Sequence, residues 1–94
     1  MMNEFDRLSQ TRQKLIERAW SADQHYGEPM AARNALHSHF AEKLVAEGLL
    51  SRACFHAENV VWYWATERGK CLYMQSWRFQ QKCREYPYWS KLGT

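Results

Sequence analysis

The side chains best suited to ligating a metal are Cys54 and His56, two residues apart, with Cys71 and Cys83 further along the chain. Zinc takes thiolate and imidazole donors tetrahedrally, and structural sites usually draw them from close pairs. Only one close pair exists here, and its C-x-H spacing is not that of a zinc knuckle. Cys83 also fits the apolar stripe of a helix, where a free cysteine behaves as a small hydrophobe. His37 and His39 fare no better: two positions apart on a helix, their side chains diverge by about 200°. No metal site is expected. No Ser or Cys sits in a glycine-rich elbow, and no paired acids stand in a recognisable acid–base frame. Neither G-x-x-x-x-G-K-[ST] nor G-x-G-x-x-G occurs. These absences lead us to expect a protein that is not an enzyme, uses no cofactor and takes no small-molecule substrate.

The chemistry the chain does carry suits gripping large surfaces. From Arg68 to Thr94 there are six Lys/Arg against one acid, Glu85, interleaved with Tyr73, Trp77, Phe79, Tyr86, Tyr88 and Trp89. Cations attract phosphate or acidic protein surfaces, and aromatic faces supply stacking or anchoring area. Arg84, Tyr86, Tyr88, Trp89 and Lys91 form a candidate partner-binding set. The plainer alternative packs Trp77, Phe79 and the Tyr86–Trp89 segment against the domain and leaves the charges to solvation. A second candidate face lies upstream, where Arg33, Asn34, His37 and Ser38 share one side of a helix. Arg and Asn can each make bidentate contacts with purine edges, and the alternative there is a solvated helix face. Arg52, Arg68, Lys70, Arg78 and Lys82 complete the nucleic-acid-binding candidates.

Ninety-four residues suffice for one domain with one modest core. At 46% hydrophobic and 15% aromatic residues, the chain is too apolar to be a disordered tail. The net charge of +3 is unevenly spread: residues 1–50 carry six basic and seven acidic groups, residues 51–94 seven basic and three acidic. Such asymmetry is a pointer towards nucleic acid. The N-terminus carries acids where a signal peptide needs a basic and then an apolar stretch, and no apolar run reaches membrane-spanning length. With no secretory signal, the odd count of three cysteines implies reduced thiols. A cytoplasmic location and no membrane partner are expected, and a homodimer is left open.

These groups must be positioned by a small set of elements. Phe5, Leu8, Leu15, Ile16, Ala19 and Trp20 recur near helical spacing and predict a helix over 4–21, capped by Asn3, with Arg12 the one charge on its stripe. Pro29 suits the first turn of a second helix over 29–47, striped by Leu36, Phe40, Leu44 and Val45 and closed by Gly48. Ala32 and Ala35 would let a neighbour approach closely, and whether a turn splits this segment is open. Residues 49–55 and 60–65 predict a hairpin with its tip at 56–59. Val60, Trp62 and Trp64 would face one way, and Val61, Tyr63 and Ala65 the other. A helix over 57–68 closed by Gly69 competes with this. Thr66 then caps a last helix striped by Leu72, Ser76, Phe79 and Cys83, which ends at Tyr86 before Pro87. Residues 86–94 form an aromatic tail.

Leu44, Gly48, Leu49, Leu50 and Arg52 fit an L-x-x-x-G-L-[LIV]-x-R segment, and Tyr63, Ala65, Thr66 and Gly69 fit a strand running into [LVA]-T-x-x-G. Over residues 44–72 the chain resembles the winged-helix DNA-binding domains of bacterial and phage regulators. The resemblance implies a single α+β, mostly helical domain: two or three N-terminal helices, a β-hairpin wing and a C-terminal helix. It also implies contact with DNA or a DNA-processing complex, as in a transcriptional or mobile-element accessory regulator. A DNA-reading winged helix needs two helices joined by a tight turn before the wing, and no clear turn signal lies between Gly27 and Gly48. The second functional reading is a phage-type inhibitor that binds and blocks a host nuclease or CRISPR defence complex through its basic, aromatic surface.

Overall fold

Gly48-Leu49 and Thr66-x-x-Gly69 are two halves of one joint. The computed structural model describes residues 3–32, 34–53 and 60–92. In it Gly48 takes φ 78°, a left-handed conformation that ends the preceding helix and that a Cβ would strain. The Thr66 hydroxyl donates to the Gly48 carbonyl at 2.7 Å and accepts from the Gly69 amide at 3.0 Å. One threonine therefore caps the helix that follows it and ties that helix to the one before. A Cβ on Gly69 would stand 2.2 Å from the Leu49 carbonyl oxygen, so only glycine lets the two backbones meet. Leu49 and Leu50 plug the core beneath the joint, and Arg68 donates to the Glu47 carbonyl at 2.6 Å.

Upstream, the expected helix over 4–21 is divided and extended. A 3-10 turn at Phe5–Arg7 precedes α1, Gln10–Tyr26. Asn3 and Asp6 exchange hydrogen bonds around the turn, and the Ser9 hydroxyl accepts from the Arg12 amide to start α1 afresh. No Pro or Gly interrupts the chain between Ser21 and Tyr26, so the helix runs on until Gly27, at φ 63°. The predicted stripe holds: Phe5, Leu15, Ile16, Ala19 and Trp20 are buried, and Leu8 packs against them.

The segment 29–47 is neither one helix nor a helix-turn-helix. Pro29 leads into a strand, β1 (Met30–Ala31), and α2 covers only Ala35–Ala46, with the Asn34 side chain accepting from the His37 amide at 2.8 Å. Tertiary pairing overrides the local preference, since β1 is recruited by β3 (Trp62–Ala65) in the register Met30↔Tyr63, Ala31↔Trp62. Leu44 is buried as expected and Phe40 and Val45 are partly so, but Leu36 is exposed and Ala41 takes the core position instead.

The hairpin is present, with shorter strands than predicted. β2 (Leu50–Arg52) pairs with β3 in the register Leu50↔Ala65, Ser51↔Trp64, Arg52↔Tyr63. The sheet order is β1-β3-β2, antiparallel throughout, and strand geometry at 62–65 excludes the competing helix there. Tyr63 and Ala65 face the core while Trp62 and Trp64 are half-buried on the opposite face, the expected alternation. Cys54, Phe55 and the tip at 56–59 lie outside the described residues.

The last helix is also divided, into α3 (Glu67–Met74) and α4 (Trp77–Glu85), followed by a short α5 (Trp89–Leu92). Ser76 makes the break: it is fully buried, donates to the Tyr73 carbonyl at 2.6 Å and accepts from the Phe79 amide at 3.1 Å. A serine hydroxyl offers the backbone this alternative to continuing a helix. Tyr73, expected beside the stripe, is itself fully buried, 5.4 Å from the Phe5 ring, 5.2 Å from Trp20 and 5.3 Å from Phe79.

Candidate functional site

Four of the cations expected to meet phosphate are held by acids of this chain. Arg52 binds both carboxylate oxygens of Glu42, through Nε at 2.9 Å and through a second guanidinium nitrogen, and Tyr63 Oη donates to the same carboxylate at 2.6 Å. Arg78 Nε donates to Glu17 Oε2 at 3.1 Å, and Tyr73 Oη donates to that oxygen at 2.7 Å. The two clusters share a plan: a core tyrosine and an arginine converge on one helical glutamate. Arg68 grips both oxygens of Glu4 at 2.7 and 2.8 Å, and Lys70 lies 3.0 Å from Asp23 and 3.5 Å from Glu67.

The electrostatics follow the geometry. The hydrogen bond from Arg52 holds the Glu42 carboxyl below the ordinary value, and Glu42 in turn raises the Arg52 guanidinium. Burial, then the hydrogen bond to Glu42, pushes Tyr63 up to about 12. Burial and Glu17 raise Tyr73 further still, and Asp23 raises the Lys70 ammonium. The pairs at Arg52 and Arg68 are well exposed to solvent, where screening leaves such contacts little weight in stability.

Of the upstream face, Asn34 and Ser38 line one groove at the start of α2. The Asn34 side-chain oxygen is occupied with capping α2, and His37 and Ser38 are half-buried. The exposed side chains of α2 are Ala35, Leu36, His39, Lys43 and Ala46, and Arg33 lies outside the described residues. Beside the N-terminus of α2 a groove of about 550 Å³ opens, lined by Ala31, Ala32, Ala35, Ser38, Val60 and Trp62 among others.

The C-terminal set divides into three. Trp89, expected at a partner surface, is a core residue: it is 8% exposed, its ring lies 5.3 Å from Trp20, and its Nε1 donates to Tyr73 Oη at 3.1 Å. Around it sits a connected set of rings. His25 lies 5.5 Å from Trp89, 6.3 Å from Tyr88 and 5.9 Å from Tyr26, and Tyr88 lies 6.1 Å from Tyr86. The Lys82 ammonium stands over two of these rings, 5.4 Å from Tyr86 and 5.7 Å from Trp89. Tyr26, Tyr88 and Tyr86 remain 76%, 53% and 44% exposed. Trp77 and Arg84 stack separately at 5.7 Å, and helical geometry sets Trp77 about 140° from Lys82 around α4. Lys91 is exposed on α5.

His25 and Tyr26 were missed by sequence reasoning, which ended the first helix at residue 21. Gly27 was the signal that could have found them, because a helix carried to that stop ends on these two rings. What the cluster offers is exposed aromatic area fixed to a buried tryptophan, plus one oriented ammonium. That is equipment for binding.

Among the described residues no three His, Cys, Asp or Glu side chains gather to hold a metal ion. Cys71 is exposed, and burial pushes the Cys83 thiol up. No helix among the described residues is long and apolar enough to cross a membrane. No family model, curated protein or solved structure matches the chain.

Proposed function

We propose that this chain is a non-catalytic binding module that attaches to a protein of a DNA-handling assembly through the rings of Tyr26, Tyr86 and Tyr88 and the Lys82 ammonium. One observation carries this reading: three large side chains stay in solvent although each belongs to a ring cluster seated on the core residue Trp89. Tyrosine supplies contact area at low cost in conformational entropy, and clustered exposed aromatic surface marks interaction sites. The DNA-handling setting is supported by the winged-helix resemblance of residues 44–72, whose motif residues form the Gly48–Thr66–Gly69 joint. An accessory protein that occupies a nuclease or CRISPR defence complex fits this description. So does a regulator that recruits such machinery.

A second reading, direct contact with DNA, is favoured by one specific feature. α2 leads through that joint into the β2–β3 pair, as a wing would require. One experiment separates the two. Tagged protein is used to capture partners from bacterial lysate with and without nuclease treatment, alongside a labelled duplex at low ionic strength. A stoichiometric protein that survives nuclease and is lost with Tyr86→Ala/Tyr88→Ala supports the first reading. No such protein, together with a salt-sensitive duplex shift, replaces it with the second.

A further inference from the structure

The proposed attachment site has a charge as well as a shape, and this step rests on that proposal. We infer that the partner element is an acidic protein segment, one that sets a carboxylate against the Lys82 ammonium and lays apolar or aromatic side chains across Tyr86, Tyr88 and Tyr26.

Lys82 differs from the cations described above. Arg52, Arg68, Lys70 and Arg78 each hold a carboxylate, whereas no carboxylate among the described residues lies within ion-pair reach of Lys82. Its ammonium is instead held over the faces of Tyr86 and Trp89. A cation oriented on two rings has little freedom left to lose when an anion arrives. The surroundings carry the same sign. From Lys82 to Leu92 the sequence has Lys82, Arg84 and Lys91 against Glu85 alone. On α1, Glu17 is taken up by Arg78 and Tyr73, and Asp23 by Lys70.

The same geometry argues against a nucleic-acid strand. Phosphate binding needs several cations tracking one backbone, each releasing a counterion. Here the Lys82 ammonium sits among rings, the neighbouring Arg78 is committed to Glu17, and the Trp77–Arg84 stack lies on another flank of α4. A tyrosine-rich patch around a single positioned cation has the make-up of a protein hot spot.

The test uses the intact protein and three probes: a random copolymer of glutamate and tyrosine, poly-L-glutamate, and oligodeoxythymidylate, with binding read by tryptophan fluorescence and calorimetry. The copolymer is expected to bind about tenfold tighter than either other probe. Lys82→Gln should weaken it by about tenfold, and Lys82→Arg should retain it. Near-ultraviolet circular dichroism confirms that the Trp89–Tyr73 contact survives in both variants. Tightest binding by oligodeoxythymidylate, or copolymer binding indifferent to Lys82→Gln, overturns the inference. If the lysate partner is held equally by Lys82→Gln but lost with Tyr86→Ala/Tyr88→Ala, the attachment site stands and its acidic specificity falls. If neither variant matters, both fall.

Discussion

Trp89 and Tyr88 are neighbours in sequence with opposite roles, and a pair of substitutions separates them. Trp89→Ala removes a buried indole that packs on Trp20 and donates to Tyr73 Oη, so it should cost about 3–5 kcal/mol in urea unfolding. Tyr88→Ala removes a ring that is 53% exposed and should change stability by no more than about 0.5 kcal/mol, while weakening partner capture. Trp89→Ala is therefore a poor probe of binding and Tyr88→Ala a clean one. Titration of the Glu42–Tyr63–Arg52 cluster gives a second residue-scale prediction. The Glu42 carboxyl lies below its ordinary 4.5 in the folded state, so its contribution is in place above that pH and is lost as pH falls through the lowered value. Tyr63 runs the other way: raised from 10.0 to about 12, it contributes fully below pH 10 and progressively less as pH rises towards 12, because the unfolded chain gives up its proton first. Stability curves against pH should show a shallower acid limb for Glu42→Gln. The advantage of the wild type over Tyr63→Phe should shrink between pH 10 and 12.

At the scale of elements, joints decide more than stripes do. Gly69→Ala forces a methyl against the Leu49 carbonyl oxygen, where neither backbone can yield cheaply, and should cost about 1–3 kcal/mol by chemical denaturation. Ser76→Ala removes both the α4 cap and a buried hydrogen bond to Tyr73, and should cost about 1 kcal/mol with faster amide exchange at Phe79. The stripe Leu15, Ile16, Ala19, Trp20 was legible in the sequence because a helix long enough to show its period writes that period into the residues. Thr66 and Gly48 were legible because caps act locally. β1 was not, because two residues carry no pattern and Met30–Ala31 is a strand only by virtue of its pairing with Tyr63 and Trp62. Nor was the break at Ser76, which fits a helical stripe and a cap equally well until the burial of Tyr73 is known. The candidate site was half legible for the same reason. Tyr86, Tyr88 and Lys82 announce themselves by composition, whereas His25 and Tyr26 join them only once α1 extends to Tyr26.

At the scale of the whole molecule, the charge asymmetry between the two halves of the chain is largely internal complementarity. Arg52, Arg68, Lys70 and Arg78 from the second half meet Glu42, Glu4, Asp23 and Glu17 from the first. Composition records the surplus in each half but not the pairing, so an arrangement that fastens the halves together reads in sequence as a basic surface waiting for phosphate. The consequence is measurable. Among the described residues the cations left without a carboxylate include Lys14 on α1, Lys43 on α2, and Lys82 and Arg84 on α4. These four are spread over three helices and do not form one basic run of the chain. Duplex binding should be weak at low ionic strength, with log K against log salt falling at a slope of about −2 or shallower, since each neutralised phosphate contributes about −0.9. A slope near −6 would require a continuous basic track and would favour direct contact with DNA. Glu42→Gln sharpens the comparison, because it frees Arg52 of its charged partner without touching a cation. If ion pairing is what masks the basic half, that variant should bind duplex more tightly and with a steeper salt dependence than the wild type.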